Sequence, residues 1–185
     1  MYCEYNIDID KQTSALLCSA IISDTLILKS PTCTEYDVEA CNALAKIADI
    51  DIEKYGREMF RAGSNLSSKT EEEIFYRDFK KFSIGELSVG VGQVNSMSEE
   101  ELEEIKATVL PEMEKTRQNH SLDMIFFMLT NILEETTHLL ICGPDAEGVI
   151  ERGFDVTPED KIAVLPGVMS RKKQMIPNLL NAFQQ

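Results

Sequence analysis

The chain has 185 residues, enough for one large domain or two small units, and its 43% hydrophobic and 27% charged residues are ordinary for a soluble globular protein. A formal net charge of −14 excludes a general nucleic-acid or anionic-membrane surface, because such a chain repels polyanions unless basic residues gather locally. The one gathering, Arg171-Lys172-Lys173, is too short for nucleic acid and suits an anion of phosphate size.

Five cysteines (Cys3, Cys18, Cys33, Cys41 and Cys142) show no CxxC spacing. Neither a zinc site nor a disulfide framework is supported, and buried free thiols in a reducing cytosol are expected. The first residues, MYCEYNIDID, are acidic and lack an apolar run behind a basic leader, unlike a secretion signal. The most apolar stretch, residues 15–28, is interrupted by Ser19, Ser23, Asp24 and Thr25 and falls short of the roughly 20 apolar residues a membrane span needs. A cytoplasmic protein is expected.

In chain order, Leu16, Leu17, Ala20 and Ile21 recur at helical spacing and predict a largely buried helix from Lys11 to about Ser23. The run Lys29-Ser30-Pro31-Thr32 ends that element, since proline cannot donate to the backbone ladder. Thr34 opens a second helix with Asp37 placed for a reciprocal cap, and Val38, Cys41, Leu44, Ala45 and Ala48 form its apolar face. A third helix runs from Asp51 to about Ala62, with Tyr55, Met59 and Phe60 on one side. Residues 64–69, small and polar, read as a linker.

Beyond it a short helix is predicted over 70–77, then strands over 80–83 and 87–94 joined through Gly85. Ser98 caps a long acidic helix reaching toward Asn119, with Leu102, Ile105, Val109 and Met113 inward and Pro111 as a point of kinking. Strands over 124–129 and 138–142, a helix over 145–152, a strand over 162–165 and a closing helix after Pro177 complete the chain. The fold class is mixed α/β: a helical remnant of a first domain, followed by a compact mixed-sheet domain with flanking helices. Three short helices bury little on their own, so the first 63 residues read as part of something larger.

No HExxH, GxxxxGK[ST] or GxSxG occurs, so zinc-protease, P-loop and common serine-hydrolase readings lack support. His120 and His138 are isolated, at a helix end and near a strand start, and neither is expected to bind metal. The acidic run Glu99–Glu104 suits a solvated helix amino terminus. Two stretches carry more. Asp24 follows an apolar helical run, where a charge is expected to be capped, ion-paired or metal-bound. The run Leu165-Pro166-Gly167-Val168-Met169-Ser170-Arg171-Lys172-Lys173 leads a glycine-containing loop into consecutive cations before a helix. It reads either as a basic surface turn or as backbone N–H groups and cations aimed at one phosphate.

The run SAIISDTLILKSPTCTEYD resembles the segment closing the first domain of family II inorganic pyrophosphatases, in the DHH phosphoesterase superfamily. GSNLSSKT, RDFKKFSIG, GQVN and LPGVMSRKKQMIP resemble, in the same order, that family's second domain, so the resemblance covers the chain from about Lys11 to Phe183. It implies that residues 1–63 belong to the DHH catalytic domain, that 64–69 form a hinge, and that 70–185 form the DHH-associated substrate-binding domain. It implies diphosphate hydrolysis with Mn²⁺ or Co²⁺ as cofactor and Mg²⁺ accompanying the substrate. Asp24 would then be a metal ligand, Lys80 a phosphate-binding lysine, and Arg171 and Lys172 the pair on the distal phosphate.

The family's HxxDxD-type motif and DHH triplet do not occur in these 185 residues, so the chain alone is expected to be inactive. Diphosphate or short polyphosphate is the expected partner, nucleic acid and membrane are not, and a homo-oligomer is expected. Three alternatives stand: an exopolyphosphatase-type enzyme of the same superfamily, a pyrophosphatase carrying nucleotide-sensing modules, and a non-enzymatic anion-binding module.

Overall fold

The computed structural model describes residues 7–63 and 69–184 and divides the chain into two compact units, Met1–Ser64 and Asn65–Gln185. Residues 64–68, most of the expected linker, and Cys3 lie outside the described residues.

In the first unit, α1 (Lys11–Asp24) starts at Asp10, whose carboxylate accepts from the N–H groups of Gln12 and Thr13, both at 2.9 Å. Helix α2 (Glu35–Ala48) opens on the capping box of Thr34 and Asp37 anticipated from sequence, and α3 (Ile52–Gly63) closes the unit. The inner face of α1 is Ser14, Cys18 and Ile22, set against Cys41, Ala45 and Ala48 of α2. Leu16, Leu17 and Ala20 lie outside, Leu16 at 72% exposure, and Val38 is exposed on α2.

That corrects the expected faces. Residues 14, 18 and 22 are two positions out of phase with 16 and 20, about 200° around a helix of 3.6 residues per turn. Both stripes are periodic, and small side chains select the seam. The sulfurs of Cys18 and Cys41 stand 3.7 Å apart, a close helix approach that leucines would block. Gly56 of α3 completes the seam, with Ile27 and Ile22 against the place where a Cβ would stand.

The second unit runs α4 (Glu71–Tyr76), β1 (Phe79–Ile84), β2 (Leu87–Ser96), α5 (Glu99–Asn119), β3 (Met124–Asn131), β4 (Thr136–Cys142), α6 (Ala146–Phe154), β5 (Ile162–Pro166) and α7 (Ile176–Ala182). The sheet order is β1-β2-β3-β4-β5, and only β2–β3 is parallel, joined through α5. Gly85, at φ 61°, makes the tight β1–β2 turn that places Ile84 opposite Leu87.

Every residue of β3 is buried, as a central strand covered on both faces requires. Val89, Val91, Phe126, Met128, Leu139 and Ile141 pack toward α6 and α7. The alternate positions, Val94, Ile125, Phe127, Leu129 and Leu140, pack toward α4 and α5. The inward residues of α5 are those the sequence indicated, joined by Glu112 and Thr116.

The closing helix differs from expectation. Helical backbone begins at Arg171, not after Pro177, as a π-helical turn (Arg171–Met175) whose amides from Met175 and Ile176 reach back five residues to the carbonyls of Ser170 and Arg171. The basic run is therefore the first turn of the helical segment and not a loop before it. Of the described cysteines, Cys18 and Cys41 are buried and Cys33 and Cys142 half-buried; all four are free thiols.

Candidate anion-binding site

Lys80 stands opposite Val91 in the β1–β2 register, and paired residues of an antiparallel ladder project to the same face. That face carries Val91 and Val89 into the cluster containing Met175, so Lys80 lies on the side of the sheet that receives the π-helical turn. Arg171 reaches the same place from the other end of the unit. Its Nη1 donates to the carbonyl of Asp78 at 2.5 Å and to that of Val91 at 3.4 Å, and its Nη2 donates to Asp78 Oδ1 at 2.6 Å. Arg171 is 9% exposed, whereas Lys80 and Lys172 are exposed. The fold thus brings RDFK and SRKK together across 93 residues, with Asp78 balancing the charge of Arg171.

The loop before the basic run is held by side chains. Gln174 Oε1 accepts from the N–H groups of Met169 (2.8 Å) and Ser170 (2.9 Å), and its Nε2 donates to the Gly167 carbonyl at 2.6 Å. Thr137 Oγ1 donates to the Val168 carbonyl at 2.5 Å, and Gln93 Nε2 to the Met169 carbonyl at 2.9 Å. Of the loop whose backbone N–H groups one of the two readings aimed at a phosphate, the amides of Met169 and Ser170 are therefore already engaged. The chemistry these residues offer is cationic: the buried guanidinium of Arg171 and the exposed ammonium groups of Lys80 and Lys172.

Asp24 is the last residue of α1, and its exposed carboxylate makes no hydrogen bond or ion pair with a described residue, neither capping a helix nor pairing. The turn beyond it is tightly built. Thr25 Oγ1 donates to the Ile21 carbonyl at 2.6 Å and accepts from the Leu28 N–H at 3.1 Å, and Thr32 Oγ1 donates to the Asp24 carbonyl at 3.3 Å. Leu26, Ile27 and Leu28 follow at φ 51°, 58° and 63°. Left-handed backbone at bulky residues costs of order 1–3 kcal/mol each, and burial of Leu26 and Ile27 offsets it.

Among the described residues no group of three or more histidine, cysteine, aspartate or glutamate side chains could hold a metal ion. One carboxylate does not supply the four or more donors a divalent ion takes, so these residues do not fit a metal centre by themselves. His120, at the end of α5, meets the Tyr76 hydroxyl at 3.3 Å, and His138 is half-buried in β4.

Sequence reasoning missed Asp78, Gln93, Thr137 and Gln174. Three of them sit inside the runs that carried the resemblance, RDFKKFSIG, GQVN and LPGVMSRKKQMIP; for Asp78 and Gln174 a polar residue beside a cation was the available signal, and for Gln93 only its place in the run. Thr137 has no signal beyond a hydroxyl in an apolar strand.

Comparison with known proteins agrees with this architecture. A manganese-dependent inorganic pyrophosphatase of Bacillus subtilis is 42% identical over 185 residues, covering 100% of this chain and 60% of that protein. A cobalt-dependent inorganic pyrophosphatase of Clostridium perfringens is 46% identical over 169 residues, 91% of this chain and 31% of the relative. The crystal structure of a Methanococcus jannaschii protein assigned to the family II inorganic pyrophosphatases superposes with a TM-score of 0.83 at 38% identity, over 96% of this chain and 58% of that one. The chain thus spans less than two thirds of the length of these relatives. The DHHA2 domain model matches residues 57–182, the whole sheet with its flanking helices, and the chain belongs to the DHHA2 domain family.

Proposed function

We propose that this chain is the phosphate-gripping part of an inorganic pyrophosphatase, which splits diphosphate into two phosphates. The observation that carries the reading is the bond of Arg171 to Asp78, two residues before Lys80, in a chain whose relatives are named pyrophosphatases. Arg171 grips two oxygens of one phosphate in its plane, and Lys80 and Lys172 add point charges. Catalysis of phosphoryl transfer is largely positioning and charge stabilisation, and that is what these residues do: bind, orient and neutralise. Asp24 contributes one carboxylate to the metal centre of a polypeptide of the relatives' full length. Manganese or cobalt is the cofactor of that longer protein, with Mg²⁺ entering on the substrate. Residues 1–63 belong to its DHH catalytic domain and 64–69 to the hinge before the substrate-binding domain of 70–185. The protein works in the cytoplasm as a homo-oligomer.

Phosphate release from diphosphate, assayed with Mn²⁺, tests the reading. The full-length polypeptide turns over, Arg171→Lys slows it although charge is kept, and this chain alone does not. A rate near 10 s⁻¹ from this chain alone, typical of enzymes, would contradict it. Cleavage of long polyphosphate in preference to diphosphate would favour the exopolyphosphatase-type alternative.

A further inference from the structure

A guanidinium holds five N–H groups on one rigid plane. In Arg171 the protein takes those at one end: Nη1 serves the carbonyls of Asp78 and Val91, and Nη2 serves Asp78 Oδ1. No described residue accepts from Nε. The Nη1–Nη2 end is thus anchored, and the Nε side is the one that remains for a ligand.

Asp78 is itself fixed by the sheet, since its carbonyl also accepts from the Gln93 N–H at 3.2 Å. It lies two residues before Lys80 in the chain, so the entry into β1 sets both cations. Gln93 in turn holds the Met169 carbonyl, two residues before Arg171. A carboxylate beside an anion site has the wrong charge for affinity. With 46% of its side chain exposed, it repels an incoming phosphate more than a buried neutral acceptor would.

We infer that Asp78 is a positioning residue for the diphosphate grip: it fixes the plane of Arg171 so that the Nε side meets the phosphate oxygens beside Lys80. The inference rests on the reading of Arg171 as a phosphate grip. Orientation and charge act here in opposite directions. If Asp78 merely competes with phosphate for Arg171, its removal strengthens anion binding. If it positions Arg171, its removal weakens binding, because a long, freely rotating side chain no longer meets the anion in plane.

The test is a titration of the full chain with inorganic diphosphate at low salt, followed by calorimetry and by the ¹⁵N side-chain signals of Arg171, for the parent chain and Asp78→Ala, Asp78→Glu, Asp78→Asn and Arg171→Ala. Asp78→Ala is expected to bind about tenfold more weakly, the effect of one charge-assisted bond, and to merge the resolved Nη signals of Arg171. Asp78→Glu keeps the charge but displaces the carboxylate by one methylene, and it carries the same expectation should the alanine variant fold poorly. Asp78→Asn leaves an acceptor in place and is expected to bind within about threefold of the parent. Alanine and glutamate variants that bind as tightly as the parent, or more tightly, overturn the inference while Arg171→Ala still weakens binding. A parent chain that ignores diphosphate, or an Arg171→Ala variant that binds unchanged, overturns the grip reading and the inference with it.

Discussion

The side-chain amide of Gln93, in the middle of β2, donates to the backbone carbonyl of Met169, 76 residues later, at 2.9 Å. The same nitrogen also serves Thr130 Oγ1 and Asn95 Oδ1, and Thr130 meets Thr137, which holds the Val168 carbonyl. One polar network in a mostly apolar sheet therefore fixes the loop that delivers Arg171.

Gln93→Leu removes the donor and leaves the Met169 carbonyl without its partner. A loss of about 1–3 kcal/mol in unfolding free energy is expected, the cost of an unsatisfied buried acceptor. Urea denaturation measures it. Diphosphate affinity should fall in the same variant, because the loop carrying Arg171 loses its anchor.

Asp24 should separate stability from chemistry. Its carboxylate is exposed and makes no bond with a described residue, so Asp24→Ala should change the unfolding free energy of this chain by no more than about 0.5 kcal/mol. In the full-length polypeptide the same substitution should weaken Mn²⁺ binding and nearly abolish phosphate release. Normal binding of two Mn²⁺ ions by that variant would remove Asp24 from the metal centre.

Glu114 gives the clearest pH signature. Hydrogen bonds from Arg117, then from Cys142 and Gln118, hold its carboxyl down at about 2. A carboxylate with a lowered folded-state pKa contributes stability that is fully present above its ordinary value of 4.5 and fades as pH falls toward 2. A ¹³C titration of the Glu114 carboxyl should show its midpoint near 2, and Glu114→Gln should flatten the acid side of the stability curve. On the other end of that contact, burial and the bond to Glu114 push the Cys142 thiol up to about 11. At pH 8 only about a thousandth of it is thiolate, so iodoacetamide should modify Cys142 far more slowly than an ordinary surface cysteine.

The exposed apolar side chains of the first unit predict association. Leu16 and Leu17 on α1 and Tyr36, Val38 and Ile47 on α2 are exposed, Tyr36 at 83%. Exposed large apolar side chains favour contact with another protein surface. Sedimentation at rising concentration should show self-association that Leu16→Glu with Leu17→Glu reduces. A clean monomer at high concentration would contradict it.

Element boundaries were legible because their signals are local: the Thr34–Asp37 box, the Ser98 cap, the glycine turn at residue 85 and the inward stripe of α5 all rest on residues a few positions apart. What was not legible depends on tertiary neighbours. The choice between two apolar stripes on α1 is made by the small side chains of α2, and the widened turn at Arg171 follows no 3.6-residue pattern. At the candidate site Lys80, Arg171 and Lys172 were readable as residue types. The bond of Arg171 to Asp78, two residues before Lys80, was not, and neither was the use of Gln174 to occupy the loop amides, since both arise from contacts between distant strands and turns.

Backbone amide shifts of this chain under titration with diphosphate report directly on whether the three cations form one anion site. Lys80, Arg171 and Lys172 should shift together along one binding curve, with a weak affinity that fades as salt screens the exposed cations. Shifts confined to residues away from β1 and the π-helical turn, or separate curves for Lys80 and Arg171, would contradict it.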